Sequence, residues 1–106
     1  MNIQFDDIAL KELYEKGSTR DHKYSRLSKD IIKRYVKTVD FLKAAGRLED
    51  LFRIPSLHYE KKQGNLKGVD AVRINDQYRL LFNSSPDDNG IIVNALLIEI
   101  SKHYGK

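Results

Sequence analysis

The sequence predicts an α+β domain in which two N-terminal helices pack on a small antiparallel β-sheet. Apolar residues recur at helical spacing up to about residue 45, and beyond it they fall into short runs rich in Val, Ile, Leu and Tyr. Those later runs are joined by "QGNLKG", "NDQ" and "SPDDNG". Connections that short place consecutive strands antiparallel. With 106 residues the chain suits one domain, residues 1–106, with a single modest core.

"NIQF" is a short strand candidate that leads into "DDIALKELYEKG". There Ala9, Leu10, Leu13 and Tyr14 sit at helical spacing, acids precede the apolar residues, and Gly17 is the stop. "GSTRDHKYS" is polar and turn-like. Leu27, Ile31, Ile32, Tyr35, Val36, Val39 and Leu42 then trace one apolar stripe of a second helix, from about Ser25 to Ala45. Its other face holds Lys29, Lys33, Arg34 and Lys37, a row whose default reading is solvent cover. Tyr14 and Tyr35 fall on the helix stripes and belong to the core. Gly46 ends the helix, and "RLEDLFRIPS" is a connector stiffened by Pro55. "SLHYEKK", "VDAVRIN", "YRLLFNSS" and "IIVNALLIEI" are the strand candidates that follow.

Composition narrows the function classes. The apolar share of 41% and charged share of 32% suit a folded soluble domain, and cysteine is absent, which removes disulfides and thiolate chemistry. A cytoplasmic protein fits best. The amino terminus lacks the basic-then-apolar order of a signal peptide, and "IIVNALLIEI" is about half the ~20 residues a membrane-spanning helix needs. The formal net charge is +4. Between Arg53 and Arg79, six cations (Arg53, Lys61, Lys62, Lys67, Arg73, Arg79) face three acids (Glu60, Asp70, Asp76), whereas the first 52 residues carry eleven against nine. The excess concentrates in the middle third and permits a polyanionic partner.

His22, His58 and His103 show no metal-ligand spacing, so no metal or other cofactor is expected. "QGNLKG" lacks the phosphate-loop pattern, and Ser84 and Ser85 sit before Pro86 in a turn rather than on a nucleophile elbow. What remains is His58, Tyr59, Lys61, Lys62, Lys67, Arg73, Tyr78, Arg79, Lys102, His103 and Tyr104, spread over the strand region and tail. These types suit RNA. A base can take the proton of a 2′-hydroxyl, cations can stabilise charge building on the phosphate, and an acid can protonate the leaving 5′-oxygen. Arginine donates bidentately to phosphate, and aromatics stack on unpaired bases. The same inventory serves a ribonuclease, a passive RNA binder or a plain polar sheet face.

"GVDAVRINDQYRLLF" raises a sharper question. If Asn75, Asp76 and Gln77 form a three-residue turn, Arg73 and Arg79 stand directly opposite, where like charges destabilise a ladder unless something anionic lies between them. A two-residue loop would place them on opposite faces.

The order of these pieces resembles the HigB-like toxins of the RelE superfamily from bacterial type II toxin–antitoxin modules. The resemblance covers nearly the whole chain. It is carried by "LYEKGS" at Leu13–Ser18, by the block Gly64-x(3)-Gly68-x(4)-Arg73-Ile74-Asn75-x(2)-Tyr78-Arg79, and by the ending "EISKHY". It implies the RelE-like toxin fold and a ribosome-dependent endoribonuclease that cuts mRNA by metal-free 2′-hydroxyl attack and inhibits translation. The partners implied are a HigA-like helix-turn-helix antitoxin, the ribosome and mRNA, with operator DNA bound by the toxin–antitoxin complex.

Carried over residue by residue, Arg79 is the phosphate or transition-state stabiliser and Arg73 contacts the RNA backbone. Gln63 stands where the family has an active-site lysine, so Lys61 or Lys62 takes that part. Glu60 aligns with a family histidine, and His58 lies two residues earlier on the same strand face. The usual terminal Asp-Tyr-His is Ser101-Lys102-His103, followed by Tyr104. His103 matches, while Lys102 or Tyr104 takes over stacking or proton transfer. Lys67 completes the expected RNA-binding set of Arg73, Lys67, His58, Lys102 and Tyr104 around the catalytic set of Arg79, His103, Lys62, Lys61 and Glu60. The alternative is a non-catalytic or ParE-like toxin that acts by binding gyrase or the ribosome.

Overall fold

A computed structural model describes residues 1–62, 64, 68–86 and 93–102. The element order is β1 (Asn2–Phe5), α1 (Ile8–Lys16), α2 (Lys29–Ala44), two 3-10 turns (Leu48–Arg53 and Pro55–Leu57), β2 (Glu60–Lys61), β3 (Asp70–Arg73), β4 (Tyr78–Pro86) and β5 (Val93–Lys102).

Both helices start where a side-chain oxygen satisfies an orphan backbone N–H and stop where the next backbone N–H bonds back into the last turn. The Asp7 carboxylate accepts from Ala9 N at 2.9 Å, and Gly17 closes α1 in the left-handed region at φ 75°. Ser28 Oγ accepts from Ile31 N at 3.2 Å and opens α2. The second helix therefore begins at Lys29 rather than Ser25. Ahead of it Leu27 N donates to Tyr24 O in a turn.

The five strands run in the order β1-β5-β4-β3-β2. β2, β3, β4 and β5 pair antiparallel, as the short connections require, but β1 lies parallel to β5 with Asn2 opposite Asn94 and Phe5 opposite Leu97. The sheet is thus mixed, and the expectation of a purely antiparallel sheet preceded by two helices is corrected. A strand comes first, as "NIQF" suggested, and it runs beside β5 with Ile3 and Phe5 facing the helices and Asn2 and Gln4 facing out.

The connector is also more helical than expected. Pro55 starts a 3-10 turn with its fixed φ, and His58 closes that turn in the left-handed region at φ 43°. "SLHYEKK" accordingly contributes only Glu60 and Lys61 to the sheet.

One face of the sheet packs on the helices. Ala9, Leu10 and Leu13 of α1 and Tyr35, Val39 and Leu42 of α2 form one buried cluster with Val72, Leu80, Phe82, Ala95, Leu97 and Ile100. Fully burying a leucine of this kind contributes about 1.5–3 kcal/mol. Tyr35 is buried with its hydroxyl donating to Leu10 O at 2.7 Å, whereas Tyr14 is half-buried with its hydroxyl on Asp40 at 2.5 Å. Tyr24 joins the core as well and accepts from Ile100 N. A register shift between Leu81 and Phe82 bulges β5 and lets both strands keep their apolar residues inward.

Tyr35→Phe removes a buried donor and is expected to cost about 1 kcal/mol, read as a lower urea midpoint at unchanged slope. Burial pushes the Tyr24 phenol up to about 12 and raises those of Tyr35 and Tyr59 as well. Their contribution to stability is complete below about pH 10, the ordinary phenol value, and is lost as pH climbs toward the raised ones. An alkaline titration should show these three tyrosines ionising only together with the loss of the circular dichroism of the fold.

Candidate functional site: the sheet face away from the helices

Residues directly opposite one another in an antiparallel ladder project from the same face. Glu60 is opposite Ala71, Ala71 opposite Leu81, Arg73 opposite Arg79, and Arg79 opposite Ser101. Glu60, Arg73, Arg79 and Ser101 therefore share the face away from the helices, since Val72, Leu80 and Ile100 point inward.

Lys62 continues β2 on that same face. Its backbone N–H donates to Val69 O, and its Nζ lies 2.7 Å from Glu60 Oε1.

The hairpin turn settles the register. Asn75 Oδ1 accepts from Gln77 N at 2.9 Å and Tyr78 N at 2.8 Å, and Ile74 N donates to Tyr78 O. Three residues form the loop, and the two arginines face each other. An Asn side chain that captures the backbone two residues on is a natural builder of such a turn.

What relieves the like charges comes from the turn itself. Arg73 forms an ion pair with Asp76, whose carboxyl is held below the usual carboxylate range by the hydrogen bond and the charge of Arg73. Arg79 donates through Nη1 to Asn75 O at 2.6 Å and Tyr78 O at 3.1 Å. Burial, and then the neighbouring Arg73 charge, lowers the Arg79 pKa, against the opposing influence of Glu60 and Asp76. A guanidinium stays protonated even so.

Among the described residues no carboxylate forms an ion pair with Arg79. A guanidinium has five N–H donors in a rigid fork, and the turn carbonyls engage only the Nη1 end of this one. The remaining N–H groups can donate to phosphate oxygens.

Other expected residues fall elsewhere. Lys61 projects from the opposite face, and its Nζ lies 3.7 Å from the buried carboxylate of Asp70, which also accepts from Tyr59 Oη at 3.0 Å and Ser84 Oγ at 2.5 Å. Lys61 is thus a neighbour of a structural network that ties β2 to β3 and β4. Lys102 is exposed opposite Tyr78, on the helix side of the sheet end. His58 is exposed on the connector, so the expectation that it shares a strand face with Glu60 is corrected. Strand alternation does not reach a residue locked in the left-handed region. Lys67, His103 and Tyr104 lie outside the described residues, as does Gln63.

Sequence reasoning missed Asp76 as a partner of Arg73. The signal was present in the three-residue spacing within "RIND", which a turn brings within reach.

Residues 3–99 match the family model of HigB-like toxins, described as RelE-like toxins of the type II toxin–antitoxin system HigB. The chain is 33% identical over 97 residues to toxin HigB-1 of Vibrio cholerae, spanning 92% of this chain and 95% of that one. Among solved structures, the YoeB–YefM complex of Staphylococcus aureus is similar with a TM-score of 0.58 at 23% identity, covering 98% of each chain. A YoeB/ParE toxin from Agrobacterium tumefaciens gives 0.56 at 16% identity, covering 98% of this chain and all of that one.

Asp76→Asn takes the carboxylate from Arg73 and leaves two unneutralised guanidiniums on one face. The variant is expected to elute from phosphocellulose at higher salt than the charge-matched variant Asp6→Asn. Equal elution would show that Asp76 does not mask Arg73.

Proposed function

The chain belongs to the HigB-like family of RelE-like toxins from type II toxin–antitoxin systems, and from that premise we propose that it is an endoribonuclease that cuts mRNA on the ribosome and so inhibits translation. The observation that carries this reading is the Arg73–Arg79 pair on the sheet face away from the helices, beside Glu60 and Lys62. Two guanidiniums held side by side by turn carbonyls and one acid form a cradle for a phosphodiester, whose charge grows as the 2′-oxygen attacks phosphorus.

In this proposal Arg79 binds the scissile phosphate and stabilises the added charge of the transition state, and Arg73 holds the neighbouring backbone. Glu60, a carboxylate on the same face whose charge acts on Arg79, accepts the 2′-hydroxyl proton. Lys62 stands beside it as the cation that replaces the family lysine at position 63, in preference to Lys61, which the fold turns toward Asp70. His103, matched by sequence to the family's terminal histidine, is assigned the protonation of the leaving 5′-oxygen, with Tyr104 for stacking. Lys67 and Lys102 contribute peripheral positive charge to the RNA, and His58 a further contact.

The partner assignments follow from the same family. A HigA-like helix-turn-helix antitoxin would hold the toxin inactive, and that complex would bind operator DNA. The cytoplasm is the proposed place of action. No helix among the described residues is long and apolar enough to cross a membrane.

The test is controlled expression in a bacterial host with mapping of mRNA 5′ ends before and after induction, beside Arg79→Ala and His103→Ala. New in-frame cleavage sites that vanish in the variants are expected. Arg79→Ala should lower cleavage about 10²–10³-fold, the scale of losing one transition-state donor, with stability changed by no more than about 1 kcal/mol. Growth arrest with uncut mRNA would overturn cleavage and favour a toxin that acts by binding gyrase or the ribosome.

A further inference from the structure

Arg73 belongs to two surfaces. On one side it faces Arg79 in the ladder. On the other it closes a groove of about 540 Å³ between the outer face of α2 and the hairpin end of the sheet. Lys33, Arg34 and Lys37 line the helix side of this groove, and Phe41, Leu57 and Ile74 give it an apolar floor.

Three cations of the α2 basic row therefore form one wall of the groove while remaining exposed to solvent. Their neighbour across the groove is the residue that stands beside the candidate phosphate site. Lys33 and Lys37 are one turn apart, about 6 Å along the helix. Asp30 is the acid in the lining and is engaged by Arg34 Nε at 3.1 Å. Asp76, whose field also reaches Arg34, is engaged by Arg73. Among the described residues neither Lys33 nor Lys37 forms an ion pair, although the Lys37 Nζ lies 5.8 Å from the centre of the Phe41 ring.

We infer that this groove is a track for single-stranded RNA, continuous through Arg73 with the site at Arg79, in which Lys33 and Lys37 bind successive phosphates outside the cleaved step. The inference rests on the proposed function and extends it from a phosphate site to a strand path. The charges favour a polyanion. The apolar floor beside Phe41 suits the faces of unpaired bases, which every sequence offers. The groove thus adds affinity without sequence preference, and Lys33 and Lys37 are binding residues rather than catalytic ones.

The test measures binding of 2′-O-methyl RNA, which lacks the attacking hydroxyl and cannot be cut by this route, by fluorescence anisotropy across a range of salt concentrations. The full chain is compared with Lys33→Gln/Lys37→Gln, with the α1 pair Lys11→Gln/Lys16→Gln as a charge-matched control, and with Arg79→Ala. The groove pair should bind at least tenfold more weakly at low salt. Its plot of log affinity against log salt should be shallower by about 1.4, since each phosphate contact on a single strand contributes about 0.7. An oligonucleotide too short to span both surfaces should lose this difference.

A groove pair that behaves as wild type, or no differently from the α1 pair, overturns the track and leaves the groove to an acidic protein segment. Failure of the two readings is distinguishable. If Arg79→Ala abolishes mRNA cleavage while the groove pair binds normally, the track alone is wrong. If the groove pair weakens binding while Arg79→Ala still cuts, the track stands and the catalytic assignment falls.

Discussion

The cross-strand pairing of Arg73 with Arg79 is the constraint around which the working side of this molecule is arranged. Like charges placed opposite in a ladder repel, and the fold accepts that repulsion because the Asn75 side chain fixes a three-residue turn and Asp76 and two backbone carbonyls answer the guanidiniums. The charge is incompletely answered. Among the described residues only Arg73 has a carboxylate partner, so the pair retains an affinity for an external anion, and the turn that relieves the strain also aims the donors.

The helix-facing side explains why such a pair is tolerated. Directly beside the arginines, Val72, Leu80 and Ile100 are inserted into the core, so the ladder is held by packing that does not depend on the charges of its other face. On the far edge, Asp70 ties Tyr59 and Ser84 together beneath β2, a strand of two residues that has little ladder of its own. The buried network holds in place the short segment that presents Glu60 and Lys62.

Much of this was legible in the sequence because it is local. The stripe from Ile31 to Leu42 marks α2, Gly17 marks the end of α1, and the order of the later strands follows from short connections. The arginine pairing was one of two registers, and only the hydrogen bonds of Asn75 choose between them. Other features are tertiary and carry no local signal. The partner of β1 is at the other end of the chain, Tyr24 becomes core because β5 passes over a polar-looking loop, and the basic row of α2 gains its neighbour from a hairpin about forty residues later. His58 was misplaced because a β-rich stretch hid the turn that Pro55 imposes.

The parallel pairing of β1 with β5 joins Asn2 to Asn94, 92 residues apart. A chain emerging amino terminus first makes β1 early and must wait for β5 before that edge of the sheet can close. Contacts of such long range are slow to form because the intervening loop must be closed first. The final strand also supplies the inner neighbour of β4 and three buried residues of the core, Ala95, Leu97 and Ile100. The sheet is therefore assembled only once β5 is available to pair, and a chain without β5 lacks both its β1 edge and the Ser101 side of its working face.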